Sequence, residues 1–166
     1  MQIGLLSDTH GTINDEMLQY FKDCDEIWHA GDLGSLEVVE QIQRFKTLKA
    51  VYGNIDDATI RSVCPEEQFF ICAGLKIYII HIGGYPPKYT NKLKKRLDTL
   101  QPDVFVCGHS HILKIIPDRE RNLLHLNPGA AGNHGFHKVR TMLRFAIKES
   151  RVCDMELIEL GKRGKT

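Results

Sequence analysis

Short apolar runs recur along the chain, and most of them stop at a glycine or a polar residue with metal-ligand character. The run Ile3-Gly4-Leu5-Leu6-Ser7 predicts a buried strand that starts almost at residue 1. Met17, Leu18, Tyr20 and Phe21 then give a helical stripe from about Asn14 to Lys22, with Asn14 as its N-cap. Glu26 to Ala30 predicts a second strand, in which Trp28 and His29 are packing residues. Leu36, Val38, Val39 and Ile42 predict a second helix capped by Ser35, and Lys49 to Tyr52 a third strand. After Asn54 the alternation changes from strand–helix to strand–strand: Gln68 to Cys72 and Leu75 to Ile80 flank Ala73-Gly74, a two-residue connection suited to a hairpin. Tyr89 to Leu100 predicts a helix with a stripe through Leu93, Leu97 and Leu100 and a basic face of Lys92, Lys94, Lys95 and Arg96.

Val104 to Cys107 follows as a buried strand. Leu113 to Ile116 and Asn122 to Leu126 predict two more, joined by a charged turn through Asp118 and Arg119. A loop bearing glycine and histidine runs from Gly132 to His137. The chain closes on a hairpin with Leu143, Phe145 and Ile147 alternating on one strand and Cys153, Met155 and Leu157 on the other. A βαβαβ opening requires parallel strands with crossover helices, and the later hairpins add antiparallel ones. So many strands fit two packed sheets better than one. The expected fold is an α/β sandwich of α/β/β/α layers, two mixed sheets flanked by helices, in one domain over residues 1–166.

Composition narrows the function classes. An apolar fraction of 42% and a charged fraction of 26% belong to a globular protein with a sizeable core. A net charge of +1 gives no general attraction to nucleic acid or an anionic membrane. The five cysteines are odd in number, scattered and without a Cys-x-x-Cys pair, which suits reduced structural thiols in a cytoplasmic compartment. No apolar run approaches membrane-spanning length, and no basic-then-apolar leader is present, so a cytoplasmic location is expected. The basic end, residues 161–166, reads as a solvated, frayed tail.

The candidate chemistry sits at the strand ends. In Gly108-His109-Ser110-His111 two histidines at i and i+2 place their Cα atoms roughly 6–7 Å apart by strand rise. Each ring can then address a different ion of a close pair. Asp8-Thr9-His10-Gly11 repeats the spacing with one oxygen and one nitrogen ligand. Gly31-Asp32, Gly53-Asn54 and His81 end three further strands. Any one of these motifs alone is equally a capping or turn residue. Together they fall where open α/β sheets collect ligands, outside the carboxyl ends of parallel strands. Asp8, His10, Asp32, Asn54, His81, His109 and His111 are too many ligands for one octahedral ion. They suit two ions that share a carboxylate and act on phosphoryl groups. Imidazole and carboxylate without thiolate fit Mn, Fe, Zn or Ni.

The order Asp-x-His, Gly-Asp, Gly-Asn, His, Gly-His-x-His resembles the motif series of calcineurin-like metallophosphoesterases, from Gln2 to about Leu160. The small size, and Asn127-Pro128-Gly129 after the histidine pair, resemble the YfcE-type phosphodiesterase branch. The resemblance implies that Asp8, His10, Asp32 and His111 hold one metal, that Asp32, Asn54, His81 and His109 hold the other, and that Asp32 bridges. It implies two divalent ions, manganese first and zinc, iron or nickel next. It also implies hydrolysis of a small phosphoester, a diester above all, by a hydroxide shared between the ions. Asn54 and Asp32 would be the residues closest to catalysis, with Asn54 also touching the phosphate. Gly11 and the Gly83-Gly84 loop would present backbone N–H groups nearby.

Two departures stand out. Ile55 occupies the place after Gly-Asn where many members of the superfamily carry a histidine that protonates the leaving group. His81-Ile82-Gly83 replaces the His-Gly-His common in the small branch. General-acid help then falls to His134, His137 or Asp56, and good leaving groups are favoured. The alternatives are a non-catalytic scaffold of the same fold, like the retromer subunit, or a small nuclease. Near-zero net charge and the lack of a DNA-binding segment count against a long duplex and a membrane, and leave room for a homo-oligomer.

Overall fold

The computed structural model describes residues 1–164. Strand β1 (Gln2–Leu6) leads through helix α1 (Asp15–Gln19) to β2 (Glu26–His29), and α2 (Leu36–Phe45) leads to β3 (Thr47–Ala50). Helix α3 (Ala58–Val63) precedes the hairpin of β4 (Glu67–Cys72) and β5 (Leu75–Ile80), and α4 (Asn91–Leu100) precedes β6 (Val104–Val106). Strands β7 (Lys114–Asp118), β8 (Leu123–Asn127), β9 (Val139–Lys148) and β10 (Arg151–Lys162) complete the chain. They form two five-stranded sheets, ordered β10-β9-β1-β2-β3 and β4-β5-β6-β8-β7. Both are mixed: β1, β2 and β3 run parallel beside antiparallel β9 and β10, and β5, β6 and β8 run parallel beside antiparallel β4 and β7. The expected two-sheet sandwich flanked by helices is the observed architecture.

Period-2 alternation sorts each strand between two interiors. Ile3, Leu5 and Trp28, with Phe145 of the same sheet, face the other sheet, where they meet Ile77, Ile79, Val104 and Val106. Leu6 and Ile27 face the opposite way, onto Leu18, Phe21, Val39, Ile42 and Ile60 of the first three helices and their flanks. On the outer face of the second sheet, Tyr78, Phe105 and Leu123 pack under Leu93 and Leu97 of α4. Each fully buried aliphatic or aromatic side chain contributes about 1.5–3 kcal/mol. Trp28 adds edge contacts with Phe70 and Phe145, at ring-centroid distances of 5.4 and 5.7 Å.

The structure departs from the sequence reading in four places. Helix α3 falls where a strand-to-strand passage was expected. It is capped by the Asp57 side chain, which accepts from Ile60 N at 3.0 Å, and only Ile60 of its six residues is buried, so no helical stripe marks it. Strand β3 lies two residues earlier than expected, because Tyr52 N leaves the ladder to donate to Pro65 O. Tyr89 precedes α4, whose N-cap is Thr90, and packs its hydroxyl against His125. The expected frayed tail is tied down: β10 runs to Lys162, Arg163 N donates to Lys138 O, and Gly164 N donates to Asn133 Oδ1. Lys165 and Thr166 of that tail lie outside the described residues. Among the described residues no helix is long and apolar enough to cross a membrane.

Candidate metal centre

Five parallel strands from the two sheets point their carboxyl ends at one place, and the loop after each supplies a candidate ligand. Asp8 and His10 follow β1, Asp32 follows β2, Asn54 follows β3, His81 follows β5, and His109 and His111 follow β6. Backbone bonds lock these loops together beyond the strand ends. Asp8 N donates to Gly31 O, His10 N to Asp32 O, Gly108 N to His81 O and Gly132 N to Asp8 O, at 2.9–3.0 Å. Asn127, at the end of β8, holds the histidine loop from below: its Nδ2 donates to Gly108 O at 2.8 Å and its Oδ1 accepts from Gly129 N at 3.0 Å.

Asp8, His10, Asp32, His109 and His111 all adopt positive φ, between 47° and 66°. For a residue with a Cβ that conformation costs on the order of 1–3 kcal/mol. Five such residues in one cluster are sustained by the interlocked loops.

Two groups of ligand atoms result, Asp8–His10–His111 and Asp32–His81–His109, each within 4.8 Å of one another. The carboxylate of Asp32 addresses both. Its Oδ2 lies 3.9 Å from His10 Nε2, and its Oδ1 lies 3.2 Å from His81 Nε2 while accepting from Ile55 N at 3.1 Å. Asn54 Oδ1 sits 3.1 Å from the same His81 Nε2. The structure thus gathers the seven residues singled out from the sequence.

Proton bookkeeping tests whether this cluster fits cations. His81 Nδ1 faces the carbonyl of Ala30 at 2.7 Å, and a carbonyl can only accept, so Nδ1 carries the proton. In the neutral ring Nε2 then presents a lone pair to two oxygen acceptors, Asp32 Oδ1 and Asn54 Oδ1. His111 repeats the logic through His137, whose Nε2 donates to Gly132 O at 3.0 Å. His137 Nδ1 accepts from His111 Nδ1 at 3.2 Å, which leaves the His111 Nε2 lone pair 3.1 Å from Asp8 Oδ1. That oxygen is buried without a hydrogen-bond partner. His111 Nε2 also faces His10 Nε2 at 3.4 Å. His10 Nε2 can donate across that contact, but at Asp8 Oδ1 and Asp32 Oδ1 lone pair faces lone pair, which is repulsive unless a cation lies between. A histidine ligand whose far nitrogen donates to a carbonyl, as in His81, is the usual metal-site arrangement. The donor set fits divalent metal.

Electrostatics agree. Burial works against the Asp32 carboxylate, but the hydrogen bond and charge that a protonated His81 would bring, with Ile55 N and His10, outweigh it and hold its pKa below the usual value. Burial likewise opposes charge on His81, yet Asp32, Asp8 and the Ala30 carbonyl raise its pKa. Both directions express one fact, that the cluster attracts positive charge. Cys107, buried beneath the loop, has its thiol pushed up to about 12 by burial and is no thiolate ligand at neutral pH.

The residues considered for general-acid help divide. Ile55 is exposed and cannot donate. Asp56 is buried and accepts from Leu33 N, Gly34 N and Gly53 N, so it organises the turn and is no proton donor to a substrate. His137 is engaged with His111 and Gly132. His134 is exposed, with its ring centroid 5.1 Å from that of His10. Gly11 does not offer its N–H to a ligand, because it donates to Leu33 O at 2.8 Å. Gly83 packs against Phe105 and Cys107.

Sequence reasoning missed the supporting roles of Asp56, Asn127 and His137, and that of Thr9 with His29. His29 Nδ1 accepts from Gly31 N, its Nε2 donates to Thr9 Oγ1, and Thr9 Oγ1 donates to Leu33 O. Burial lowers the His29 pKa to about 4, so this bridge between β1 and β2 is neutral at physiological pH. The Asn-Pro-Gly break after β8 was the one visible signal for such a support.

Comparison with known proteins gives the family and the fold. Residues 1–150 match the model of the calcineurin-like phosphoesterase superfamily domain. A probable metallophosphoesterase of Methanothermobacter thermautotrophicus is 31% identical over 135 residues, 78% of this chain and 77% of that protein. Among solved structures, wild-type Vps29 of Entamoeba histolytica complexed with Zn²⁺ superposes with a TM-score of 0.72 at 17% identity, covering 96% of this chain and 99% of that one. A novel archaeal phosphodiesterase superposes with a TM-score of 0.71 at 21% identity, covering 96% and 100%. At these identities the two structures show a shared fold.

Proposed function

The chain belongs to the calcineurin-like phosphoesterase superfamily, and from that membership we propose that it is a metal-dependent phosphodiesterase of the small YfcE-type branch, acting as one domain on a small phosphoester. The carrying observation is the Asp32 carboxylate between two ligand clusters, with one oxygen turned to each. Asp8, His10, Asp32 and His111 would hold one divalent ion, and Asp32, Asn54, His81 and His109 the other. Bound there, two such ions supply an acidified water and neutralise charge on the phosphoryl oxygens. Manganese heads the candidates by resemblance to the family, and zinc, iron and nickel suit the same set of imidazole and oxygen ligands.

The chain's own residues orient and select. Asn54 is a neutral ligand whose exposed side chain also reaches a phosphoryl oxygen, and Asp32 sets the spacing of the two clusters. The His137–His111 and Ala30–His81 hydrogen bonds fix ring tautomers so that Nε2 points inward. With Ile55 exposed and Asp56 consumed by three backbone donors, a leaving group departs without a proton from that turn. Aryl diesters should therefore be hydrolysed faster than alkyl ones.

The test is a substrate panel. Protein purified without chelator should hydrolyse bis(p-nitrophenyl) phosphate faster than p-nitrophenyl phosphate. Chelator should abolish the reaction and Mn²⁺ restore it. Chelator-resistant turnover would overturn the metal-dependent mechanism, and no turnover with Mn²⁺, Zn²⁺, Fe²⁺ or Ni²⁺ would overturn the enzymatic reading and leave the scaffold.

The assignment of His109 and His111 to different ions has its own test. His109→Ala and His111→Ala should each lower metal content from two toward one per chain, with circular dichroism unchanged. Equal loss of both ions in both variants would contradict the split.

A further inference from the structure

Beside the Asn54–His81 side of the metal centre lies a cavity of about 810 Å³ between β5, α4 and the loop that carries Asn54. Asn54 and His81 line its edge, and the reaction described above uses no other residue of its lining. Its floor is apolar, made by Tyr78, Ile80 and Leu93. Arg61, Lys92, Lys95 and Arg96 also line it, together with Glu66 and Glu67. Three of the four residues of the basic face of α4, which the sequence left without a role, thus line a cavity beside the reaction centre.

The charges of the lining are not equivalent. Arg96 is paired with Glu67, which also accepts from Tyr78 Oη, so that pair is satisfied within the wall. Arg61 lies over the Tyr52 ring at 4.7 Å, and its Nε donates to Asp56 O at 2.8 Å, which holds the guanidinium in place at the mouth. Lys92 and Lys95 have no carboxylate partner among the described residues. Two unpaired ammonium groups, one turn apart and beside a fixed guanidinium, make a site for a dianion. Lys94, on the same helix, does not line the cavity.

We propose that this cavity is a second substrate subsite, resting on the phosphodiesterase reading above. It receives the half of the diester on the Asn54 side and selects a half that bears a further phosphate. The apolar floor takes the organic body that joins the two phosphates, and Lys92, Lys95 and Arg61 take the terminal one. The lining holds three free basic groups and no continuous basic track for a long strand, so the fitting substrate is a short nucleotide-like diester.

The experiment uses two activated substrates with the same scissile bond: the p-nitrophenyl ester of thymidine 5′-phosphate, with and without a 3′-phosphate. The 3′-phosphate should lower KM about tenfold, as one good charged contact would, while kcat changes by less than about twofold. In Lys92→Glu/Lys95→Glu the ratio of the two KM values should fall to about one, and in Lys94→Glu it should persist. Higher ionic strength should shrink the ratio, because the lysines are exposed and screened. Calorimetry on chelator-treated protein gives a readout independent of turnover. Wild-type protein should bind thymidine 3′,5′-bisphosphate more tightly than thymidine 5′-phosphate, and the double variant should not. Equal KM values in the wild type, or a ratio that survives the double variant or is lost equally in Lys94→Glu, would overturn the subsite. Absence of all p-nitrophenyl ester hydrolysis would instead refute the phosphodiesterase reading, and the calorimetric comparison would still decide whether the cavity prefers the second phosphate.

Discussion

Asp32→Asn should lower hydrolysis of an activated diester by a factor of at least about a thousand, on the order of 4 kcal/mol of transition-state stabilisation. The substitution keeps the size and shape of the side chain and removes its charge. Asp32 is 2% exposed, so water cannot replace what is lost. Its two oxygens face different clusters, His10 on one side and His81 on the other. Two dications about 4 Å apart repel strongly, and a carboxylate between them offsets that repulsion for both. An amide offers one oxygen and turns an N–H pair toward the other cluster. Metal content should therefore fall further in Asp32→Asn than in Asn54→Ala, where a neutral ligand serving a single cluster is lost. The metal-free fold should persist, since Asp32 packs at the strand tips and contributes nothing to the three apolar clusters. Metal analysis, diesterase rate and circular dichroism check the three statements separately. An Asp32→Asn protein with two metals and near-normal turnover would remove the bridging role and the two-metal mechanism with it.

The site was legible because most of its ligands follow strands with a strong apolar signal. Leu5-Leu6, Ile79-Ile80 and Val104-Phe105-Val106 are unmistakable as buried strands, and Asp8, His81 and His109 come just after them. Parallel strands gather their carboxyl ends by topology alone, so residue type at the strand tip was enough to nominate the cluster. The supports were hidden for the opposite reason. Asp56 acts by accepting backbone N–H groups from Leu33 and Gly34, more than twenty positions away, and no local pattern encodes that partner. His137 looked like a free histidine in a loop, and only the fold shows that it donates to Gly132 and receives from His111. Helix α3 was missed because one buried residue in six leaves no period to read. The basic stripe of α4 was visible as a stripe, but its target depends on how α4 lies across β5, which the sequence does not state.

The glycines that precede the ligands lead to the second large expected effect. Gly53 has an ordinary negative-φ backbone, so alanine there brings no conformational strain. What it brings is a methyl group 2.7 Å from Asp32 Cγ and closer still to Asp32 Oδ1 and backbone N. Backbone cannot give way cheaply in a packed interior, and such overpacking costs typically 1–3 kcal/mol. The displaced carboxylate is the one that spans both clusters, and a shift of about 1 Å at a reacting centre can cost a hundredfold in rate. Gly53→Ala should therefore lose at least about a hundredfold in diesterase rate and bind less metal, with a moderate fall in melting temperature. Gly11→Ala is the control with the opposite physics. Gly11 sits at a φ of +79° with nothing within 4 Å of a built Cβ, so alanine meets strain on the order of 1–2 kcal/mol and no collision. Its protein should melt lower and keep both metals and most of its turnover. If Gly53→Ala matched Gly11→Ala in metal content and rate, close approach at Gly53 would not be what holds Asp32 between the clusters.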